Sequence, residues 1–277
     1  MRDKVYIATK TAATTPEDFW KDLETSLEKL QTDYIDVYQF HCVGQCYKPG
    51  DGTGMYECML EAKKQGKIRH IGVTAHKIGI AYECVESGLY ETMQFPFSYL
   101  SGPQEIKLVQ MCQEANMGFV CMKGLAGGLI SNSRAAMAYM CQYPDILPIW
   151  GIQKEKELEE WLSYMSDTPC MDEETAAFIA KEQEELSGDF CRGCGYCMPC
   201  PQGITINQCA RMSLMLRRAP SEAWLNAYWQ KEMAKIETCL HCNACKAKCP
   251  YELDTPALLQ KNLEDYKNVL AGKTKVQ

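Results

Sequence analysis

Two runs of four cysteines stand in the last third of the chain: Cys191-Arg-Gly-Cys194-Gly-Tyr-Cys197-Met-Pro-Cys200-Pro201 and Cys239-Leu-His-Cys242-Asn-Ala-Cys245-Lys-Ala-Lys-Cys249-Pro250. Three thiolates at two-residue gaps can hold three corners of one iron–sulfur cubane, while a last cysteine set off by proline is placed for a neighbouring cluster. Paired two-residue gaps also suffice for four-cysteine zinc sites, but zinc has no use for a third and a fourth cysteine in this order. The predicted chemistry is single-electron transfer. Seventeen cysteines, an odd count behind a first stretch with no apolar signal core, argue for free thiols and metal ligands rather than a disulfide framework. Of the other nine, Cys58, Cys84, Cys112, Cys121 and Cys141 fall in predicted helices or strands and are read as buried thiols. His41, Cys42 and Cys46 form an alternative chelating set on a loop.

The paired runs resemble those of two-cluster bacterial ferredoxins, and the resemblance implies two [4Fe–4S] clusters. It implies one ligated by Cys191, Cys194, Cys197 and Cys249, and one by Cys239, Cys242, Cys245 and Cys200. The first run departs from the pattern, with two residues rather than three before its last cysteine.

The elements that must carry this chemistry divide the chain at an acidic stretch, 166–189, read as a linker helix between residues 1–165 and a mainly α-helical domain, 190–277. In the first part, β-rich runs at Val5–Ala8, Tyr34–Phe40, Ile71–Thr74, Thr92–Phe95, Gly118–Met122 and Leu147–Trp150 alternate with helical patterns. Thr15 is placed to cap the first helix, with Pro16 in its first turn and Phe19, Leu23, Leu27 and Leu30 on one face. The other helices are predicted at 55–66, 77–88, 105–117, 132–142 and 154–165. Six such units require parallel strands with right-handed crossovers. No glycine-rich dinucleotide fingerprint follows the first strand, so an α/β barrel-type sheet is favoured over a doubly wound one. In the second part, Ser221 is placed to cap a helix over 222–237.

Composition narrows the function. With 46% apolar and 23% charged residues the chain reads as soluble and globular, and its net charge of −7 offers no basic face for nucleic acid. No apolar stretch is long enough to span a membrane, and a cytoplasmic location is expected.

The segments "KVYIATKT", "LQTDYIDVYQFH", "GKIRHIGVTAH", "MQFPFSY", "GFVCMKGLAGGLI" and "PIWGIQKEKELEEW" resemble, in order, an aldo/keto reductase barrel, here with a ferredoxin-like appendage. The resemblance implies that Lys10 is the lysine that tunes the proton donor and His41 the histidine that orients the substrate carbonyl. It implies cofactor contacts for Thr74, Gln94, Lys123, Gly151 and Lys154, and NADP(H) as the nucleotide. Three departures bear on this. Ala75 stands where many relatives carry asparagine, Met122 stands where an aromatic ring stacks on nicotinamide, and Glu157 stands where an arginine meets the 2′-phosphate. The segments start at the family's third strand, so an incomplete barrel without the catalytic aspartate and tyrosine is expected, with a homodimer or a partner chain covering its open edges. Tyr47 is the nearest sequence candidate for a replacement proton donor.

Two functions follow. One is an oxidoreductase reducing a small molecule at the barrel mouth, with electrons passed through the clusters from a one-electron carrier such as ferredoxin or flavodoxin. The other is a non-catalytic electron carrier on a degenerate barrel. Bound nicotinamide or flavin would distinguish them.

Overall fold

The computed structural model describes residues 2–186, 190–218 and 221–276, and the chain divides into two compact units. The first comprises Met1–Gly124 and Met140–Gly151, and the second Leu125–Tyr139 and Ile152–Gln277. The segment after the fifth strand and the chain from Ile152 onward both belong to the second unit, together with the acidic stretch 166–189.

The first unit is built on a six-stranded parallel sheet of β1 (Ala8–Thr11), β2 (Ile35–Phe40), β3 (Ile68–Thr74), β4 (Thr92–Pro96), β5 (Gly118–Met122) and β6 (Ile146–Pro148), in sequential order. A doubly wound sheet reverses order at a switch point, so this order excludes that topology. Right-handed crossovers between consecutive strands place the connecting helices α1 (Pro16–Leu30), α2 (Met55–Lys64), α3 (Ile78–Glu86) and α4 (Pro103–Glu114) on one face. Thr15 accepts the Asp18 N–H as the N-cap of α1, and Phe19 packs edge-on against Tyr38 at 5.7 Å.

The parity of the strands follows. Thr11 turns to the helix side, where its hydroxyl donates to Asp22 of α1 at 2.6 Å; Lys10 therefore turns to the opposite, helix-free face. Lys10, Gln39, Gly72, Thr92 and Gly118 share one register row on that face. A Cβ on Gly72 would lie 2.2 Å from Thr92 Oγ1 and 2.9 Å from Gln39 Cγ, so only glycine fits where these side chains close over the strand.

Strand limits differ from expectation at both sheet edges. Val5 and Tyr6 are exposed, and β1 begins at Ala8, once the Ile7 carbonyl has engaged the Asp36 and Val37 N–H groups. The last strand is Ile146–Pro148 rather than Leu147–Trp150.

The second unit is helical: α5 (Ser133–Met140, its last residue in the first unit), α6 (Glu155–Ser163), α7 (Glu173–Glu185), α8 (Ile206–Cys209), α9 (Met212–Arg218), α10 (Ala227–Ala234), α11 (Ala244–Ala247) and α12 (Thr255–Leu270). Helix α7 occupies the acidic stretch, whose end at 187–189 lies outside the described residues. The single helix expected over 222–237 is broken. Ser221–Trp224 is a 3-10 turn, the Asn226 side chain caps α10 at the Trp229 N–H, and Lys235–Thr238 is again 3-10. Ile204, Ile206, Met212, Leu216, Met233, Ile236, Leu259, Leu263 and Tyr266 form the core of this unit, together with Cys191, Cys197, Cys209 and Cys245. Among the described residues no helix is long and apolar enough to cross a membrane.

Candidate functional site

The cysteine loops of the second unit curl because their backbone turns left-handed. Gly193 (φ 67°) and Gly195 (φ 81°) let the chain wrap between Cys191 and Cys197, and His241 (φ 49°) and Asn243 (φ 59°) do the same between Cys239 and Cys245. Non-glycine residues in that region are uncommon and concentrate at functional sites. The Gly193 N–H points at Cys191 Sγ, 3.4 Å away.

Two cavities result. The first is lined by Cys191, Cys194, Cys197 and Cys249 with Arg192 and Tyr251. The second is lined by Cys200, Cys239, Cys242 and Cys245, with Cys197, Pro256 and Leu259 also on its wall. Each therefore joins three cysteines of one run to the last cysteine of the other. Among the described residues no three Cys, His, Asp or Glu groups are placed to hold a single metal ion; the thiols surround a volume instead. Four soft donors around a mostly apolar cavity are a donor set that suits a cubane cluster.

In the first unit the backbone ladder continues past the strand ends. His41 N–H donates to Thr11 O (2.9 Å), Val43 to Thr74 (3.0 Å), Ala75 to Gln94 (3.2 Å) and Phe97 to Met122 (3.0 Å). This aligns Lys10, His41, Thr74, Gln94 and Lys123 along the carboxyl edge of the sheet, where reactive groups of parallel α/β barrels collect. The Thr74 hydroxyl accepts the Cys42 N–H at 2.7 Å, and the buried Gln94 amide lies 3.5 Å from Met122 Sδ. Lys123 is half-buried with φ 60°. Gly151 closes the first unit, whereas Lys154 belongs to the second. Glu157 caps α6, accepting the N–H groups of Gln153 (2.8 Å) and Lys154 (3.2 Å).

Burial lowers the Lys10 pKa. Burial, and then the Lys10 charge, lower that of His41. The row also holds a residue that the sequence did not single out. His76 follows β3, is 5% exposed, and has its pKa pushed down to about 3 by burial, with the charges of Lys123 and His41 adding to the effect. Its only sequence signal is position, two residues beyond Thr74 in "GVTAH".

This has a consequence for pH. Because the folded pKa of His76 lies below that of an exposed histidine, the unfolded chain takes up the proton first as pH falls. The neutral imidazole's contribution is complete above about pH 6.5 and is lost progressively down to about pH 3. Between pH 7 and pH 5 the wild-type protein is expected to lose roughly 2 kcal/mol more stability than His76→Gln, at 1.36 kcal/mol per pH unit. Urea midpoints of both proteins at the two pH values check this, and equal losses would refute it.

Two other candidates are not brought to the strand ends. Tyr47 is buried with its ring 4.9 Å from Phe40, on the helix side of β2, and the Tyr90 hydroxyl donates to its carbonyl at 2.7 Å. Cys46 is buried within hydrogen-bond reach of the Cys84 thiol, while the partly covered His41 lies beside Lys10, so the His41, Cys42 and Cys46 chelate does not assemble among the described residues. Cys58, Cys84, Cys112 and Cys121 are buried as expected; Cys141, just past α5, is exposed instead.

A model of the aldo/keto reductase family matches residues 1–142, just over half of the chain. The chain belongs to the aldo/keto reductase family. A 4Fe-4S dicluster domain model matches residues 190–254 and contains all eight run cysteines, so the reductase-family part is followed by an iron–sulfur domain. Aldo-keto reductase YhdN of Bacillus subtilis is 30% identical over 146 residues, covering 47% of this chain and 42% of that protein. Methylglyoxal reductase DkgB of Salmonella typhi is 37% identical over 92 residues, covering 30% and 32%. The chain thus spans less than half the length of these relatives. Among solved structures, the holo form of an aldo-keto reductase from Bacillus halodurans aligns with TM-score 0.56 at 21% identity, covering 65% of this chain and 73% of that one. That likeness is one of fold: six strand–helix units of a (β/α) barrel, followed in this chain by the helical iron–sulfur region.

Proposed function

We propose that this protein is an iron–sulfur oxidoreductase that reduces a small carbonyl compound at the carboxyl ends of its strands, with electrons passed singly through two [4Fe–4S] clusters. The observation that carries the reading is the pair of cavities, each lined by three cysteines of one run and the last of the other. Cys191, Cys194, Cys197 and Cys249 would hold one cluster, and Cys239, Cys242, Cys245 and Cys200 the second. Bound clusters supply one-electron transfer, and a carrier such as ferredoxin or flavodoxin suits them as donor.

Conversion of a carbonyl to an alcohol consumes two electrons and two protons. Lys10, whose burial favours proton release, is the proposed proton donor, and His41 orients the carbonyl oxygen. Gln94, Thr74, Lys123, Gly151 and Lys154 are the proposed contacts for a nicotinamide nucleotide, should the electrons arrive that way. Because Glu157 is engaged by the backbone N–H groups of Gln153 and Lys154, its charge is partly offset at the start of α6. Methylglyoxal, the substrate in the names of several relatives, is the first compound to try.

The test is an anaerobic titration of iron-replete protein with NADPH and NADH, following nicotinamide fluorescence and cluster absorbance together, then addition of methylglyoxal. Bleaching by either nucleotide, reversed by the carbonyl compound, is expected if nicotinamide feeds the clusters. Bleaching only by dithionite, still reversed by the carbonyl compound, assigns the donor role to a one-electron carrier. Reduced clusters that no carbonyl compound reoxidises would overturn the reductase reading and leave an electron carrier.

A further inference from the structure

The two cluster cavities differ in their surroundings. A loop of the same unit, Leu125–Gly128, presses against the first cysteine run: a Cβ on Gly127 (φ 70°) would lie 2.5 Å from the Arg192 carbonyl oxygen. That loop also orients a buried cation. Arg211, 8% exposed, donates from Nη1 to the Gly127 carbonyl at 2.5 Å and from Nε and Nη2 to Gln208 at 3.2 and 2.9 Å. Its guanidinium lies flush against the residue between Cys191 and Cys194, since a Cβ on Gly193 would be 2.7 Å from Nη1 and 2.8 Å from Cζ.

A second arginine borders the same cysteine run. Arg192 lines the first cavity, with its guanidinium 4.8 Å from the Phe190 ring centre and 4.4 Å from that of Tyr251. Among the described residues no charged side chain lines the second cavity; its polar members besides cysteine are Gln202 and Asn243. Lys246, on its cysteine run, is paired with Asp254 at 2.7 Å, and both side chains are about half exposed. Water screens such a pair, whereas a buried, oriented guanidinium acts through protein of lower dielectric.

We infer that Arg211, supported by Arg192, is a positioning cation that raises the reduction potential of the cluster held by Cys191, Cys194, Cys197 and Cys249 above that of the other. Reduction adds one negative charge to a cluster, so a fixed cation and an N–H aimed at a ligand sulfur favour the reduced form. Electrons entering the domain would then rest on the first cluster, and the second would hold them less firmly. The inference rests on the two-cluster reading and goes beyond it by ordering the pair.

The experiment is an anaerobic redox titration of the full chain, followed by the electron paramagnetic resonance signals of the reduced clusters. Iron content and spin count come first. Iron for fewer than two clusters in reconstituted wild-type protein would overturn the two-cluster reading and the ordering with it. Cys200→Ser, which removes the second cluster, assigns the waves. Two separated waves are expected, with the first cluster at higher potential. Arg211→Met is expected to lower that wave alone by at least about tenfold in electron partition, 59 mV for a one-electron couple. Arg211→Lys is expected to restore most of the shift, a rescue that a merely structural role would not give. If Arg211→Met does not fold, Arg192→Gln is expected to lower the same wave. Two clusters of equal potential in the wild-type protein, or a substitution that moves both waves equally or neither, would overturn the ordering while leaving the clusters in place.

Discussion

Replacing Cys200 and Cys191 together by serine is expected to remove both clusters and nearly all bound iron, whereas replacing Cys200 and Cys239 together should leave one cluster and about half the iron. The contrast arises because Cys200 lines the cavity of the second run although it belongs to the first, just as Cys249 lines the cavity of the first run. If each run instead served its own cluster, the outcomes would exchange: the pair Cys200 and Cys191 would leave half the iron. Colorimetric iron and acid-labile sulfide on anaerobically purified protein decide between the two. Crossing has a folding consequence as well. Each cluster would tie the loop 191–200 to the loop 239–249, so metal binding and folding of this unit should be coupled. Both double variants should therefore melt at lower temperature than the wild type, the cluster-free one more so.

Why the cysteine chemistry could be read from sequence while much around it could not is a matter of range. Ligand spacing within Cys191–Cys200 or Cys239–Cys249 is local, so gaps of two residues already limit the geometry. Strands β2 and β5 were equally legible, being β-rich runs paired on both sides. Strand β1 was displaced by three residues, from Val5–Ala8 to Ala8–Thr11, because its start is set by where the partner strand begins to donate and not by its own apolar residues. The expected helix over 222–237 failed for a local reason that periodicity conceals: the Asn226 side chain satisfies the Trp229 N–H, which starts a new helix in the middle of the run. His76 and Arg211 escaped notice because burial gives them their significance. Neither position looks unusual until β3 and its neighbours enclose the first, and the Gly127 and Gly193 backbones close on the second.

Lys10→Met is expected to lower kcat/KM for carbonyl reduction by about 100-fold or more, the lower end of what a positioned proton donor contributes. Lys10 lies at the carboxyl end of β1, on the face away from α1, in register with Gln39. Burial lowers its pKa, which makes the ammonium a better acid than an exposed lysine. Its charge also contributes, after burial, to the lowering of the His41 pKa. Removing that charge should therefore move the His41 titration upward, although not all the way to its ordinary value, because burial remains. Any acid limb of activity that reports neutral His41 should shift to higher pH in the variant. The assay pairs methylglyoxal-dependent reoxidation of reduced protein with a proton magnetic resonance titration of the imidazole. Iron content serves as the control, since Lys10 belongs to the first compact unit and the clusters to the second. A variant that keeps its clusters and reoxidises within twofold of the wild-type rate would remove Lys10 from the chemistry. If the rate falls while the His41 titration stays fixed, Lys10 acts on the substrate alone, and the electrostatic link between the two side chains has no part in turnover.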